Sequence, residues 1–256
     1  MDFVHLHVHS EYSLLDGMSR PSEIAEIAKR NGQSACGITD HGTMAGTLQF
    51  QKACIDTGVK PIFGCEFYYV PALASDSEDK KAERFHLIMH AKNQDGLYKL
   101  FNLMKKSWTD GFYHKPRIEW DDLEYLAGDV TVLSGCMASY LSRLIMNGQE
   151  SQAEATALQF KERFKDDYYF ELQPWNETNL NKTLLSFSDA LDIKAVGTID
   201  CHYPTLADRG IEEVLLCVAQ MPSMNAAADR HMREHADEGK KEKDLVKRMK
   251  IGRAHV

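Results

Sequence analysis

Short apolar runs and helix-period stretches take turns along the whole chain. The first run, from Phe3 to Gly17 (FVHLHVHSEYSLLDG), alternates: Leu6 and Val8 fall on one side of an extended segment, and His5, His7 and His9 on the other. Pro21 to Asn31 carries Ile24, Ile27 and Ala28 at helical spacing, with Ser19 as the expected cap and Gly32 as the stop. SACGITDHG reads as a buried strand, Met44 to Thr57 as a helix ended by Gly58, and KPIFGCEFYYV as the next strand. RFHLIMHA, DVTVLSG, DYYFELQ and IKAVGTI continue the series of strands. Helical patterns over Gln94–Lys106, Ala138–Asn147, Ser151–Phe164, Asn181–Leu191 and Thr205–Gln220 separate or follow them. Residues 72 to 83, with SDSEDKKAE, read as a solvated insertion. Repeated strand, loop and helix imply an α/β fold with a parallel sheet and helical crossovers, and at 256 residues a closed barrel is its natural form.

Polar residues interrupt this pattern at particular places. Glu66 lies among Ile62, Phe63, Phe67 and Tyr68, where a carboxylate is costly unless something pairs it. His7, His9 and Asp16 follow the first strand, His41 the second, and then come Glu66, His86, Cys136, Asp200 and His202, nearly all at or just past strand ends. One H-x-H pair alone fits an exposed strand as well as a metal site. A parallel barrel, however, gathers the carboxyl ends of its strands on one face, so these residues can meet there and hold a divalent metal. His86 and His90 share a face, and only one of them need be a ligand. Cys65 and Cys201, next to proposed ligands, point away and read as packing residues.

Composition narrows the function classes. The chain is 43% hydrophobic, enough for one well-buried core, and its net charge of -8 argues against a general electrostatic grip on duplex nucleic acid. The six cysteines form no CxxC pair and no leader precedes them, so a cytoplasmic protein with reduced thiols is expected. No apolar run approaches the roughly 18 residues of a membrane span. The stretch SWTDGFYHKPRIEW mixes Trp108, Phe112 and Tyr113 with Lys115 and Arg117. Two readings stand for it: a contact for single-stranded nucleic acid, or a loop folded on its own aromatics.

HLHVHSEYSLLDG, GITDHG, KPIFGCE, FHLIMHAKN, GFYHKPRI, LSGC and DCHY together resemble the polymerase and histidinol phosphatase (PHP) family. The likeness runs from Phe3 to about Gln220 and is greatest to the N-terminal PHP domains of bacterial and phage DNA polymerase III alpha subunits. The resemblance implies a distorted (β/α)7 barrel over residues 1–220 with up to three divalent metals, zinc, manganese or iron. By position it places His7, His9, Glu66 and Asp200 around one metal, Glu66, His86 and Cys136 around a second, and Asp16, His41 and His202 around the third. It implies His7, His9, Glu66 and Asp200 as the catalytic set. Cys136 and Asp16 match the polymerase branch, where small-molecule phosphatases of the family have His in place of Cys136.

The implied reaction is phosphoester hydrolysis, and in the polymerase branch a 3′ to 5′ exonuclease acting on a DNA 3′ end. Tyr113, Lys115 and Arg117 are the expected nucleic-acid contacts. The implied partners are the remainder of the alpha subunit and the replisome. A small-molecule phosphatase and a metal-stabilised structural domain without turnover are the alternatives. No polymerising site is expected within this stretch. Residues 221–256 read as a charged helical tail. The last six, IGRAHV, match one frame of a common sequencing adapter, so the chain is expected to be a truncated fragment and His255 is no ligand candidate.

Overall fold

The computed structural model describes residues 3–71, 83–176 and 178–219. The chain divides into two compact units, Met1–Pro204 and Thr205–Val256. In the second, a 3-10 turn over Leu206–Asp208 leads into a helix over 209–219. The expected insertion at 72–83, apart from its last residue, and the charged tail at 221–256 lie outside the described residues. No helix among the described residues is long and apolar enough to cross a membrane.

The first unit alternates as the pattern predicts. The strands are β1 (Ala35–Ile38), β2 (Lys60–Val70), β3 (Phe85–Ala91), β4 (Arg117–Glu119), β5 (Val130–Leu133), β6 (Tyr168–Leu172) and β7 (Ala195–Gly197). The helices are α1 (Pro21–Arg30), α2 (Thr47–Thr57), α3 (Gln94–Thr109), α4 (Tyr140–Met146), α5 (Glu150–Phe164) and α6 (Thr178–Leu191). The sheet runs β1-β2-β3-β5-β6-β7, and β4 pairs with β2. β1 and β4 lie parallel to successive halves of β2, with Ile38 opposite Phe63 and Tyr68 opposite Arg117.

Three expectations are corrected. The sheet is not wholly parallel: β3 runs antiparallel to both β2 and β5. A parallel pair needs a crossover, usually helical, and the stretch between β2 and β3 carries no helical apolar period, so β3 turns straight back. The opening segment is no regular strand. His5 and Val8 carbonyls accept from Gly37 and Thr39 N–H, three residues matched against two, which leaves one residue extra as in a β-bulge. Helix α1 is not capped by Ser19. Its first turn closes when the Arg20 N–H donates to the Glu23 carboxylate at 2.9 Å, while Ser19 is buried and bridges Ser10.

The same opening segment closes the barrel on its other side. His9 N–H donates to the Cys201 carbonyl at 2.8 Å and Cys201 N–H to the His7 carbonyl at 3.1 Å. Gly37 permits the approach on the β1 side, because a Cβ there would lie 3.1 Å from the His5 and Leu6 carbonyl oxygens. One core cluster packs α3 to α6 against the sheet through Leu100, Leu103, Phe160, Phe164, Leu180 and Leu184. A second joins α1 and α2 to β1 and Val8 through Ile24, Ala28, Ile38, Phe50 and Cys54. The apolar faces read from the sequence are these two layers.

Candidate metal centre

Within the barrel, buried polar side chains replace the branched apolar layers that usually fill one. His7, His9, Glu66, Glu171 and Gln173 are all essentially inaccessible. Glu66 comes from the middle of β2, where it and Tyr68 share a face with His86 of β3. Because β3 is antiparallel, His86 stands at its amino end and still reaches the carboxyl ends of the neighbouring strands. His90, four residues on, lies about 13 Å further along the same face. There its Nε2 bonds the Leu6 carbonyl at 2.7 Å, a structural role.

Glu66 is the hub. His41 Nδ1 lies 2.7 Å and His9 Nε2 3.3 Å from its Oε2, and His86 Nδ1 2.9 Å and His7 Nε2 3.5 Å from its Oε1. Cys136 Sγ is 3.6 Å from His86 Nδ1 and 3.9 Å from Glu66 Oε1. On the other side, Asp200 Oδ1 lies 3.0 Å from His7 Nε2 and 3.2 Å from His9 Nε2. Asp16 Oδ2 lies 2.7 Å from His41 Nε2 and 3.1 Å from His202 Nε2. All nine expected ligands therefore gather in one cluster. Seven of the nine fall into three overlapping groups whose donor atoms are within reach of one ion each: His7, His9 and Glu66; His41, Glu66 and His86; and His9, Asp16, His41 and His202. Cys136 and Asp200 border these groups without completing one.

A cation fits this donor set. His41 Nδ1, Glu66 Oε2 and Asp200 Oδ1 are buried without any hydrogen bond, although two of them are only 2.7 Å apart. Polar atoms this close in a dry site call for positive charge between them, a metal ion or a proton. Protons meet part of that need in the metal-free protein. Burial works against the His41 and His202 cations, yet Glu66 and Asp16 lift His41 to about 10, and Asp200 and Asp16 lift His202 to about 9. His9 is driven the other way, to about 3, by burial and then by its cationic neighbours His41 and His202. Burial alone would raise the Glu66, Asp16 and Asp200 carboxyls, but the surrounding histidines hold all three well below the usual range.

Residues outside the cluster aim its imidazoles. His7 Nδ1–H donates to Glu171 Oε1 at 2.7 Å, and the same oxygen accepts from Thr198 and, at 3.1 Å, from Gln173. His9 Nδ1–H donates to Ser13 Oγ at 3.0 Å, whose hydroxyl donates to Asp40 Oδ1 at 2.9 Å. Both Nε2 atoms are thereby turned inward, 3.0 Å apart. Sequence reasoning missed Glu171 and Asp40 in this role. The signal for Glu171 was present, an acid inside the apolar run YYFEL, the same anomaly that marked Glu66. Asp200 itself adopts φ +54°, a left-handed backbone that Asp tolerates better than most residues.

The GFYHKPRI loop lies beside the cluster. Lys115 is exposed and Tyr113 half-buried. Arg117 is 6% exposed, with Nε donating to the Gly111 carbonyl at 3.0 Å and the guanidinium 5.4 Å above the Tyr113 ring. Cys65 packs away from the centre with Sγ against the Asp40 carbonyl, and Cys201 faces His5 at 3.5 Å, as packing residues would.

The family model of the PHP domain matches residues 5–174. DNA polymerase III subunit alpha of Treponema pallidum is 39% identical over 224 residues, covering 85% of this chain and 19% of that protein. Its counterpart in Aquifex aeolicus is 35% identical over 227 residues, 85% of this chain and 20% of that protein. The chain thus spans about a fifth of the length of these curated relatives. Among solved structures, an amidohydrolase from Chromobacterium violaceum with bound sulfate and no metal superposes with a TM-score of 0.52 at 14% identity, covering 78% of this chain and 88% of that one. A proposed metal-dependent phosphoesterase from Bifidobacterium adolescentis superposes at 0.50 with 16% identity, covering 78% and 87%. These two likenesses speak to the fold, a distorted barrel. With the matched model spanning most of the barrel, the chain belongs to the PHP domain family.

Proposed function

We propose that this chain is a divalent-metal phosphoesterase that removes nucleotides from the 3′ end of a DNA strand, as the PHP part of a replicative polymerase alpha subunit. The observation that carries the reading is the convergence of all nine candidate ligand side chains on one site with the buried Glu66 carboxylate at its centre. His7, His9, Glu66 and Asp200 would hold one ion, Glu66 with His86 and Cys136 a second, and Asp16, His41 and His202 a third. Imidazole, carboxylate and thiolate together favour zinc, manganese or iron over magnesium, which prefers an oxygen shell. When bound, such ions acidify water and neutralise charge on phosphoryl oxygens.

The chain's own residues prepare the site for that chemistry. Glu171 and the Ser13–Asp40 pair fix the ring orientations of His7 and His9, so the inward nitrogens need no reorganisation. Burial of Glu66 keeps water from competing for its oxygens. Lys115 and Tyr113 face the strand, and Arg117 braces the loop that presents them. The relatives are alpha subunits of DNA polymerase III, which supports a DNA substrate, a link to the rest of that subunit and to the replisome, and a cytoplasmic setting.

The test is hydrolysis of a 5′-labelled single-stranded oligonucleotide by the zinc- or manganese-loaded chain, beside Asp200→Asn and with histidinol phosphate as a second substrate. Asn suits the left-handed backbone at this position, so the variant isolates the lost charge. Stepwise shortening from the 3′ end, lost in Asp200→Asn, is the expected result. Turnover of histidinol phosphate with the oligonucleotide untouched would replace the reading by a small-molecule phosphatase. Full metal occupancy with no turnover of either would leave a metal-stabilised structural domain.

A further inference from the structure

Tyr68 stands one ring outside the cluster. Its ring stacks on His41, with centroids 5.8 Å apart and planes 13° from parallel, and meets His86 edge-on at 5.7 Å. Two cations lie over the same ring, Lys115 Nζ at 5.4 Å and the Arg84 guanidinium at 5.9 Å. Both side chains are exposed, and neither has a carboxylate partner among the described residues. Tyr68 is 7% exposed, and its hydroxyl can donate one hydrogen bond.

The chain folds locally so as to bring these groups together. A Cβ at Gly42 would lie 2.8 Å from Pro116 and 3.0 Å from the Tyr68 ring, so glycine next to His41 lets the KPRI segment close over Tyr68. On the far side of Gly42, its carbonyl accepts from the Trp108 indole N–H at 2.9 Å. Trp108 and Phe112 stack there at 5.3 Å and 20°, and both are about half exposed. Such a pair offers a nucleobase a flat surface, and the cations beside it offer a phosphate its counter-charge.

We propose that Arg84, Lys115 and the Tyr68 hydroxyl form an anion seat on the rim of the metal centre, which binds a backbone phosphate other than the one being cut. The inference rests on the proposed DNA substrate and adds a part to it: the seat requires at least two phosphates in one ligand. Arg84 is the discriminating residue, since it lies outside the loop that the sequence marked as a nucleic-acid contact.

The experiment uses the metal-loaded chain with Arg84→Ala, Lys115→Ala and Tyr68→Phe, all of which leave the apolar packing intact. Binding of a labelled oligothymidine with phosphorothioate linkages, which resists cleavage, is followed by anisotropy across a salt series. Hydrolysis of the ordinary oligonucleotide and of bis(p-nitrophenyl) phosphate, which has one phosphate, is measured in parallel. The expected result is a KM for the oligonucleotide raised on the order of tenfold in Arg84→Ala and Lys115→Ala, with a loss several-fold smaller on the one-phosphate substrate. The slope of log K against log salt should shrink by about 0.7 for each lost contact. Unchanged binding and slope in both alanine variants, or no strand binding by the wild type, would overturn the seat. Variant-dependent binding without any cleavage would uphold the seat while removing the exonuclease reading. Cleavage that ignores both variants would do the reverse.

Discussion

Glu171 points away from the middle of the cluster, yet it determines which nitrogen of His7 faces inward. Glu171→Gln should lower metal affinity about 10–100-fold, the usual effect of losing a carboxylate behind a histidine ligand. Competition against a chromophoric chelator measures this, and an unchanged affinity would mean that Gln173 and Thr198 suffice to orient the ring. Protons set a second expectation. At neutral pH the metal-free protein carries protons on His41 and His202, raised to about 10 and about 9 by neighbouring carboxylates. A metal must expel them, so affinity should rise with pH through the neutral range and each loading event should release protons. Calorimetry in two buffers of different ionisation enthalpy would read the release directly. A buffer-independent heat would show that these histidines are neutral before metal arrives.

At the scale of elements, Gly111 ties α3 to the loop beside the centre. A Cβ there would come 2.0 Å from the Arg117 carbonyl oxygen, which is backbone and cannot step aside. Gly111→Ala should displace Lys115, weakening oligonucleotide binding several-fold while metal content stays the same. Oligonucleotide anisotropy and metal analysis on one preparation would check both halves of that statement. Asn93 caps α3 by accepting from the Gly96 N–H at 2.7 Å, so Asn93→Ala should cost about 1 kcal/mol in denaturant unfolding. This is also the scale at which the sequence spoke most clearly. β2 coincides with KPIFGCEFYYV because Ile62, Phe63 and the run Phe67 to Val70 are β-branched or aromatic, and α2 stops at Gly58, whose φ is +73°. The direction of β3 was harder to read, since strand periodicity is the same in both orientations. β4 was hidden because three residues with Arg117 buried inward leave no alternation to see. The candidate ligands were legible because most are polar exceptions within or just past an apolar run. The groups behind them, Ser13, Asp40 and Thr198, are ordinary residues whose role depends on contacts across the barrel.

For the whole barrel, the proposed ligands come from both sides of the closure, His7 and His9 from one and Asp200 and His202 from the other. Metal should therefore act as a fastening. At a thousandfold excess over its dissociation constant a single ion adds about 4 kcal/mol to stability. Chelation should lower the melting temperature by several degrees, and hydrogen exchange should accelerate first at residues 5–10 and 198–202, while β2, β3 and β5 stay protected. Uniform loss of protection would instead make the metal a requirement of the entire fold.

That closure also sets an order of events in time. His5 and Cys201, which meet across it, are 196 residues apart in sequence, so the contact is among the most costly for a searching chain to form. Every strand from β1 to β7 precedes Cys201 along the chain. During synthesis all seven strands can be present while β1 and β7 each still show an unpaired edge, the kind of surface on which other chains nucleate. The interval before residues 5–10 find both neighbours is then the protein's most vulnerable one, and its length is governed by the search across the barrel rather than by the formation of any single element.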